Sequence, residues 1–140
     1  TQILEAFRFE FQSLNSFQGI SIPEFFEFSA LRVDTLRWLG SLASLRYLGM
    51  NQVDMSMLSV NSLRVLNRLS FLTELHFSGC SLSGFAPSLR PSNLTSLAVV
   101  DLSSNNFDSM FSGWDVNLSS LVYLDLSSSG LQWTHSLWYL

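Results

Sequence analysis

The chain is 140 residues long with a formal net charge of -4, and it is 47% hydrophobic but only 13% charged. Acids outnumber bases 11 to 7 without any basic run, which argues against a phosphate-neutralising nucleic-acid binder. Ser, Asn, Arg or Asp interrupts every apolar stretch before it reaches the roughly 20 residues that a membrane-spanning helix needs. All seven basic residues are Arg, and Leu and Ser, at 26 each, fill more than a third of the chain, an excess that points to a repeated template.

The first 40 residues are the least regular part. Phe7, Phe9 and Phe11 alternate with Arg8 and Glu10 like a strand with one buried face, and Phe17 to Pro23 reads as the later half of a repeated unit. One residue too many separates the two, which predicts a bulge or a register slip. Between Pro23 and Leu42 the sequence holds at most one imperfect unit.

From Leu42 onward a single register recurs. Counted from the first leucine of each unit, positions 1, 4, 7 and 9 are Leu42, Leu45, Leu48 and Met50, then Leu69, Leu72, Leu75 and Phe77. The next units carry Leu94, Leu97, Val100 and Leu102, and Leu118, Leu121, Leu124 and Leu126. The first leucines lie 27, 25 and 24 residues apart. Positions 7 and 9 alternate with polar or small residues, the period of a short strand buried on one face, and stacked units would pair such strands in parallel. Position 12 (Val53, Cys80, Asn105, Ser129) and position 14 (Met55, Leu82, Phe107, Leu131) turn inward. At position 12 an Asn amide can bond the backbone groups that a bend leaves unpaired. Asn105 supplies one, Cys80 and Ser129 are small substitutes, and Val53 has nothing to offer. The longest step is explained by a predicted helix over 56–69, with Leu58, Val65, Leu66 and Leu69 on one face and Arg64 and Arg68 four apart on the other. That helix is expected to pack on the back of the units rather than on a membrane surface.

The pattern LxxLxxLxLxxNxL is that of the leucine-rich repeat. The stretches Leu82 to Pro87, Asn93 to Leu97, Asp101 to Asn105 and Asp125 to Ser129 resemble its plant extracellular subtype. Phe17 to Phe25, Leu31 to Leu39 and Val65 to Leu69 resemble the ectodomains of plant receptor-like proteins, the group that includes disease-resistance receptors. The resemblance implies an α/β fold: a right-handed solenoid with a concave parallel sheet and a convex side of short helices and irregular coil. It implies residues 1–40 as degenerate repeats and 41–140 as four repeats, the last incomplete. It further implies a non-enzymatic module that binds a protein or peptide ligand and works with a receptor kinase co-receptor. The location implied is the extracellular face of the plasma membrane, within a longer membrane protein. Departures are visible. The cysteine pair of an N-terminal cap is missing, the Gly-x-Ile-Pro segment is matched only by Gly84, Ala86 and Pro87, and a whole repeat expected between Glu24 and Leu31 is lacking. Nor is there an initiator Met or signal peptide ahead of Thr1, so a fragment or a shortened member is expected. Two alternatives remain: a soluble secreted inhibitor or scaffold similar to polygalacturonase-inhibiting proteins, and a degenerate product without function.

Read across units, position 8 runs Gly49, His76, Asp101, Asp125, position 6 runs Tyr47, Glu74, Val99, Tyr123, and position 10 runs Asn51, Ser78, Ser103, Ser127. Parallel strands stand about 4.8 Å apart, so His76 and Asp101 should be neighbours with serines alongside. An open strand face offers neither an oxyanion hole nor a water-excluding pocket, so no catalytic residue is assigned, and no metal to Asp101 and Asp125 and no cofactor. The strip Tyr47, Glu74, His76, Asp101, Tyr123 and Asp125 is the expected ligand-binding surface, with Arg46 beside Tyr47. Asn93 and Asn117 head sequons completed by Thr95 and Ser119, which would place glycans at the edge or on the convex side. Trp38, Trp114, Trp133 and Trp138 read as packing residues, and Cys80 as a buried small residue rather than a reactive thiol.

Overall fold

The computed structural model describes residues 19–21, 32–84, 93–107 and 119–130. The expected strand at Phe7 to Phe11, the segment from Glu24 to Leu31, Ala86, Pro87, Trp114, Asn117, Trp133 and Trp138 lie outside them. Strands β1 (Gly19–Ser21), β2 (Tyr47–Gly49), β3 (Glu74–His76), β5 (Val99–Asp101) and β7 (Tyr123–Asp125) form one sheet in the order β1-β2-β3-β5-β7. Every neighbouring pair is parallel. Two shorter strands, β4 (Ser83–Gly84) and β6 (Asn106–Phe107), pair in parallel as a second sheet.

Each unit is held to the next by the same three sets of backbone bonds. The carbonyl at position 5 accepts two N–H groups from the following unit: Thr73 and Glu74 donate to Arg46, Ala98 and Val99 to Thr73, and Val122 and Tyr123 to Ala98, at 2.8–3.1 Å. The N–H at position 9 donates to the carbonyl at position 8 of the next unit, Met50 to His76, Phe77 to Asp101 and Leu102 to Asp125, each at 2.9 Å. The N–H at position 11 then donates to the carbonyl at position 10, Gln52 to Ser78, Gly79 to Ser103 and Ser104 to Ser127, at 2.8–3.0 Å. That last set requires a corner. Position 11 is left-handed in every described unit, with φ of 64° at Gln52, 64° at Gly79, 54° at Ser104 and 52° at Ser128. Only at Gly79 does this conformation escape the clash of a Cβ.

Leucines fill the interior at three-residue intervals. Leu36, Leu39, Leu42, Leu45 and Leu48 are all buried, as are Leu63, Leu66, Leu69, Leu72 and Leu75. Phe77 and Phe107 are the largest fully buried side chains. The triplet spacing corrects the expected helix: residues Val60–Arg68 form a 3-10 helix, starting later than position 56. Three residues per turn keeps Leu63, Leu66 and Leu69 over the core, whereas the α-helical advance would rotate each one further round. Leu58 precedes the helix and is half-buried, like Val65, while Arg64 and Arg68 are exposed as expected. A second 3-10 helix, Arg37–Ser41, was not foreseen and packs against the first. A second correction concerns the segment after Phe17. Instead of a unit's later half, Gly19–Ser21 is a strand in register with Tyr47–Gly49, with Ile20 buried in the core as the register partner of Leu48.

Position 11 gives the fold a direct test. A Cβ at Gly79 would carry the cost of its left-handed φ of 64°, while the end of the exposed Gln52 side chain moves aside, so Gly79→Ala is expected to lower stability in urea unfolding by about 1 to 2 kcal/mol. Ser104→Gly, which relieves a left-handed Ser, should lose no more than about 0.5 kcal/mol. Equal losses for the two would contradict the corner as the controlling feature.

Candidate functional site

The register sets the strand face in two rows. Tyr47, Glu74, Val99 and Tyr123 stand opposite one another, as do Gly49, His76, Asp101 and Asp125. Gly49 lets the Tyr47 ring fold over it, since a Cβ there would meet the ring and its hydroxyl at 2.8 Å. The ring thereby reaches the next strand, where its centroid lies 5.3 Å from that of His76 at a tilt of 33°. His76 Nε2 in turn stands 3.0 Å from Glu74 Oε2, two residues back on the same face of the strand. Tyr47, His76 and Glu74 therefore form one polar and aromatic cluster.

Asp101 belongs to a different arrangement. Although it is the register partner of His76, its Oδ1 accepts from the Ser103 backbone N–H at 3.0 Å and the Ser103 hydroxyl at 2.7 Å. Asp125 repeats the turn: Ser127 N–H donates to its Oδ1 at 2.9 Å, and the Tyr123 hydroxyl donates to Oδ2 at 3.3 Å. The bonds from Ser127 hold the Asp125 carboxyl below its ordinary range, and the Asp125 charge raises the Tyr123 phenol. Ser78 and Ser103 share a hydroxyl bond at 2.8 Å, and Asn51 Oδ1 accepts from Ser78 N–H at 2.8 Å. The hydroxyls are thus engaged with one another and with the turns, and the histidine with Glu74. The Arg46 guanidinium lies over the exposed Phe71 ring at 5.7 Å. Among the described residues no three His, Cys, Asp or Glu side chains gather as a metal site would require.

Beneath the strands, position 12 is buried in all four described units. Asn105 Oδ1 accepts from the N–H groups of Cys80 and Leu82, both at 3.1 Å, and Nδ2 donates to Phe77 O and Leu102 O, both at 2.9 Å. Cys80 copies part of this one unit earlier. Its thiol donates to Met50 O at 3.1 Å, the counterpart of the bond from Asn105 to Phe77. The Ser129 hydroxyl donates to Leu126 O, the counterpart of the bond to Leu102. Val53 is buried without a polar group, as read from the sequence. Burial pushes the Cys80 thiol up to about 12. Trp38 packs on the core and donates its Nε1–H to Thr35 O at 3.1 Å. Asn93 is exposed, and its Nδ2 donates to Asn67 O at 3.1 Å.

Residues 71–92 match the family model of the Leucine Rich Repeat. No curated protein matches the chain. The matched segment is the unit that carries β3 and Cys80, and together with the parallel sheet it supports a leucine-rich-repeat protein, a class that generally serves protein interaction. Among the described residues no helix is long and apolar enough to cross a membrane.

Two outcomes follow for position 12. Asn105→Ala should cost about 3 to 5 kcal/mol in urea unfolding, because two buried donors and two carbonyls lose their partner, against about 1 kcal/mol for Ser129→Ala. The folded Cys80 keeps its proton well above the ordinary thiol value of 9.0. Its stability contribution is therefore complete below that pH and is lost as pH rises from 9.0 toward about 12. Wild type should lose stability over this range and Cys80→Ala should lose less, so parallel pH profiles would contradict the assignment.

Proposed function

We propose that the chain is a stretch of a right-handed leucine-rich-repeat solenoid whose strand face docks a protein or peptide. Residues 41–140 make up four repeats of it, the last incomplete, after a degenerate 1–40. On this reading it belongs to the ectodomain of a plant receptor-like protein that recognises an extracellular elicitor or peptide and signals through a receptor kinase partner. The observation that carries the proposal is the register, which lines up Tyr47, Glu74, His76, Asp101, Tyr123 and Asp125 across neighbouring strands. A strip of this kind, with aromatic area beside paired acids and an imidazole, suits an extended basic or aromatic peptide laid across the strands. Asn93 and Asn117 are its glycan sites. The exposed amide of Asn93 keeps one N–H after glycosylation, so its bond to Asn67 can persist.

Selection of a displayed peptide library on the folded chain tests the docking strip. Peptides are expected whose affinity falls at least about tenfold in Tyr47→Ala and Tyr123→Ala. Peptides that bind wild type and both variants alike would place the docking surface elsewhere. Secretion from plant cells should add a glycan mass at Asn93 and another at Asn117, each removed by Asn→Gln at that site; a secreted chain of unmodified mass would contradict the extracellular assignment.

A further inference from the structure

The helices Arg37–Ser41 and Val60–Arg68 enclose an open basin of about 440 Å³, lined by Arg37, Ser59, Ser62, Arg64, Val65 and Arg68. Three of the seven arginines of an acidic chain converge on it. The other described arginines have partners, Arg32 with Asp54 at 3.0 Å and Arg46 over Phe71. Among the described residues the ion pairs are Arg32 with Asp54 and His76 with Glu74, so no carboxylate pairs with Arg37, Arg64 or Arg68. The Arg68 side chain reaches across to Gly40 of the other helix, with Nη1 3.6 Å from where a Cβ would stand, an ordinary contact distance. Ser59 and Ser62, with their hydroxyls 3.1 Å apart, add neutral donors at the rim.

Like charges brought together on two packed helices repel, and an anion bound between them would offset that repulsion beyond what water screens. Guanidinium forks match the tetrahedral oxygens of phosphate or sulfate in paired hydrogen bonds, and the hydroxyls can complete the shell. We propose that this basin is a binding site for a ligand bearing a tetrahedral oxyanion, a phosphate or sulfate group carried on a small molecule or saccharide. The site is separate from the strand strip, shares no residue with it, and stands whether or not that strip docks a peptide.

The test is calorimetric titration of the full chain at low salt with inorganic pyrophosphate and, separately, with sucrose octasulfate. Saturable binding of either is expected, with the responding probe telling phosphate from sulfate. Arg37→Ala, Arg64→Ala and Arg68→Ala should each weaken it at least about tenfold, and Arg68→Lys about threefold or more, since it keeps the charge and loses the fork. Arg46→Ala, at an exposed position outside the basin's lining, should leave it unchanged. All these side chains are exposed, and unaltered circular dichroism confirms folding of each variant. No saturable binding of either probe, or a loss in Arg46→Ala equal to that in the basin variants, overturns the proposal.

Discussion

Each unit turns three kinds of backbone group toward its neighbour, and the fold follows from the need to bond them. Position 5 offers a carbonyl, positions 9 and 11 offer N–H groups, and in each case the partner lies in the next unit. An isolated unit would leave these groups to water and its leucine face uncovered, so a single unit cannot be stable alone. The left-handed corner at position 11 is what aims the last of these donors. The buried group at position 12 then bonds what the corner leaves over, fully at Asn105 and in part at Cys80 and Ser129.

This dependence explains why so much of the architecture is legible in the sequence. Apolar residues at positions 7 and 9 must face the same interior in every unit, so aligning the leucines aligns the strands, and the rows read from Tyr47 and Gly49 are the rows of the sheet. Position 11 was not legible, because Gln52, Ser104 and Ser128 carry no mark of a left-handed backbone and only Gly79 hints at one. The 3-10 form of Val60–Arg68 was hidden for a related reason: over nine residues, apolar spacings of three and four overlap. The strand at Gly19–Ser21 was misplaced because Gly19 and Pro23 imitate a repeat's later half, while what makes it a strand lies 28 residues on, in its pairing with Tyr47.

The candidate site was legible at the level of rows and not at the level of bonds. Spacing places His76 opposite Asp101 and the register agrees, yet their bonds lie elsewhere: Ser103 offers Asp101 two donors from its own unit, and Glu74 meets the imidazole. The contact between Tyr47 and His76 depends on the missing side chain of Gly49, a residue that sequence reading treats as a gap in the row. The arginine basin could not be foreseen at all. Arg37 stands in the irregular part of the sequence, and only the packing of two short helices brings it beside Arg64 and Arg68.

Native-state hydrogen exchange of the inter-unit amides tests the central claim most directly. If neighbouring units hold one another through the ladder, the N–H groups of Gln52, Gly79 and Ser104 should exchange as slowly as those of Met50, Phe77 and Leu102, all opening in one cooperative event. Corner amides that exchange at the rate of free, exposed peptide groups while the position 9 amides stay protected would contradict it, and would leave apolar packing alone as what joins the units.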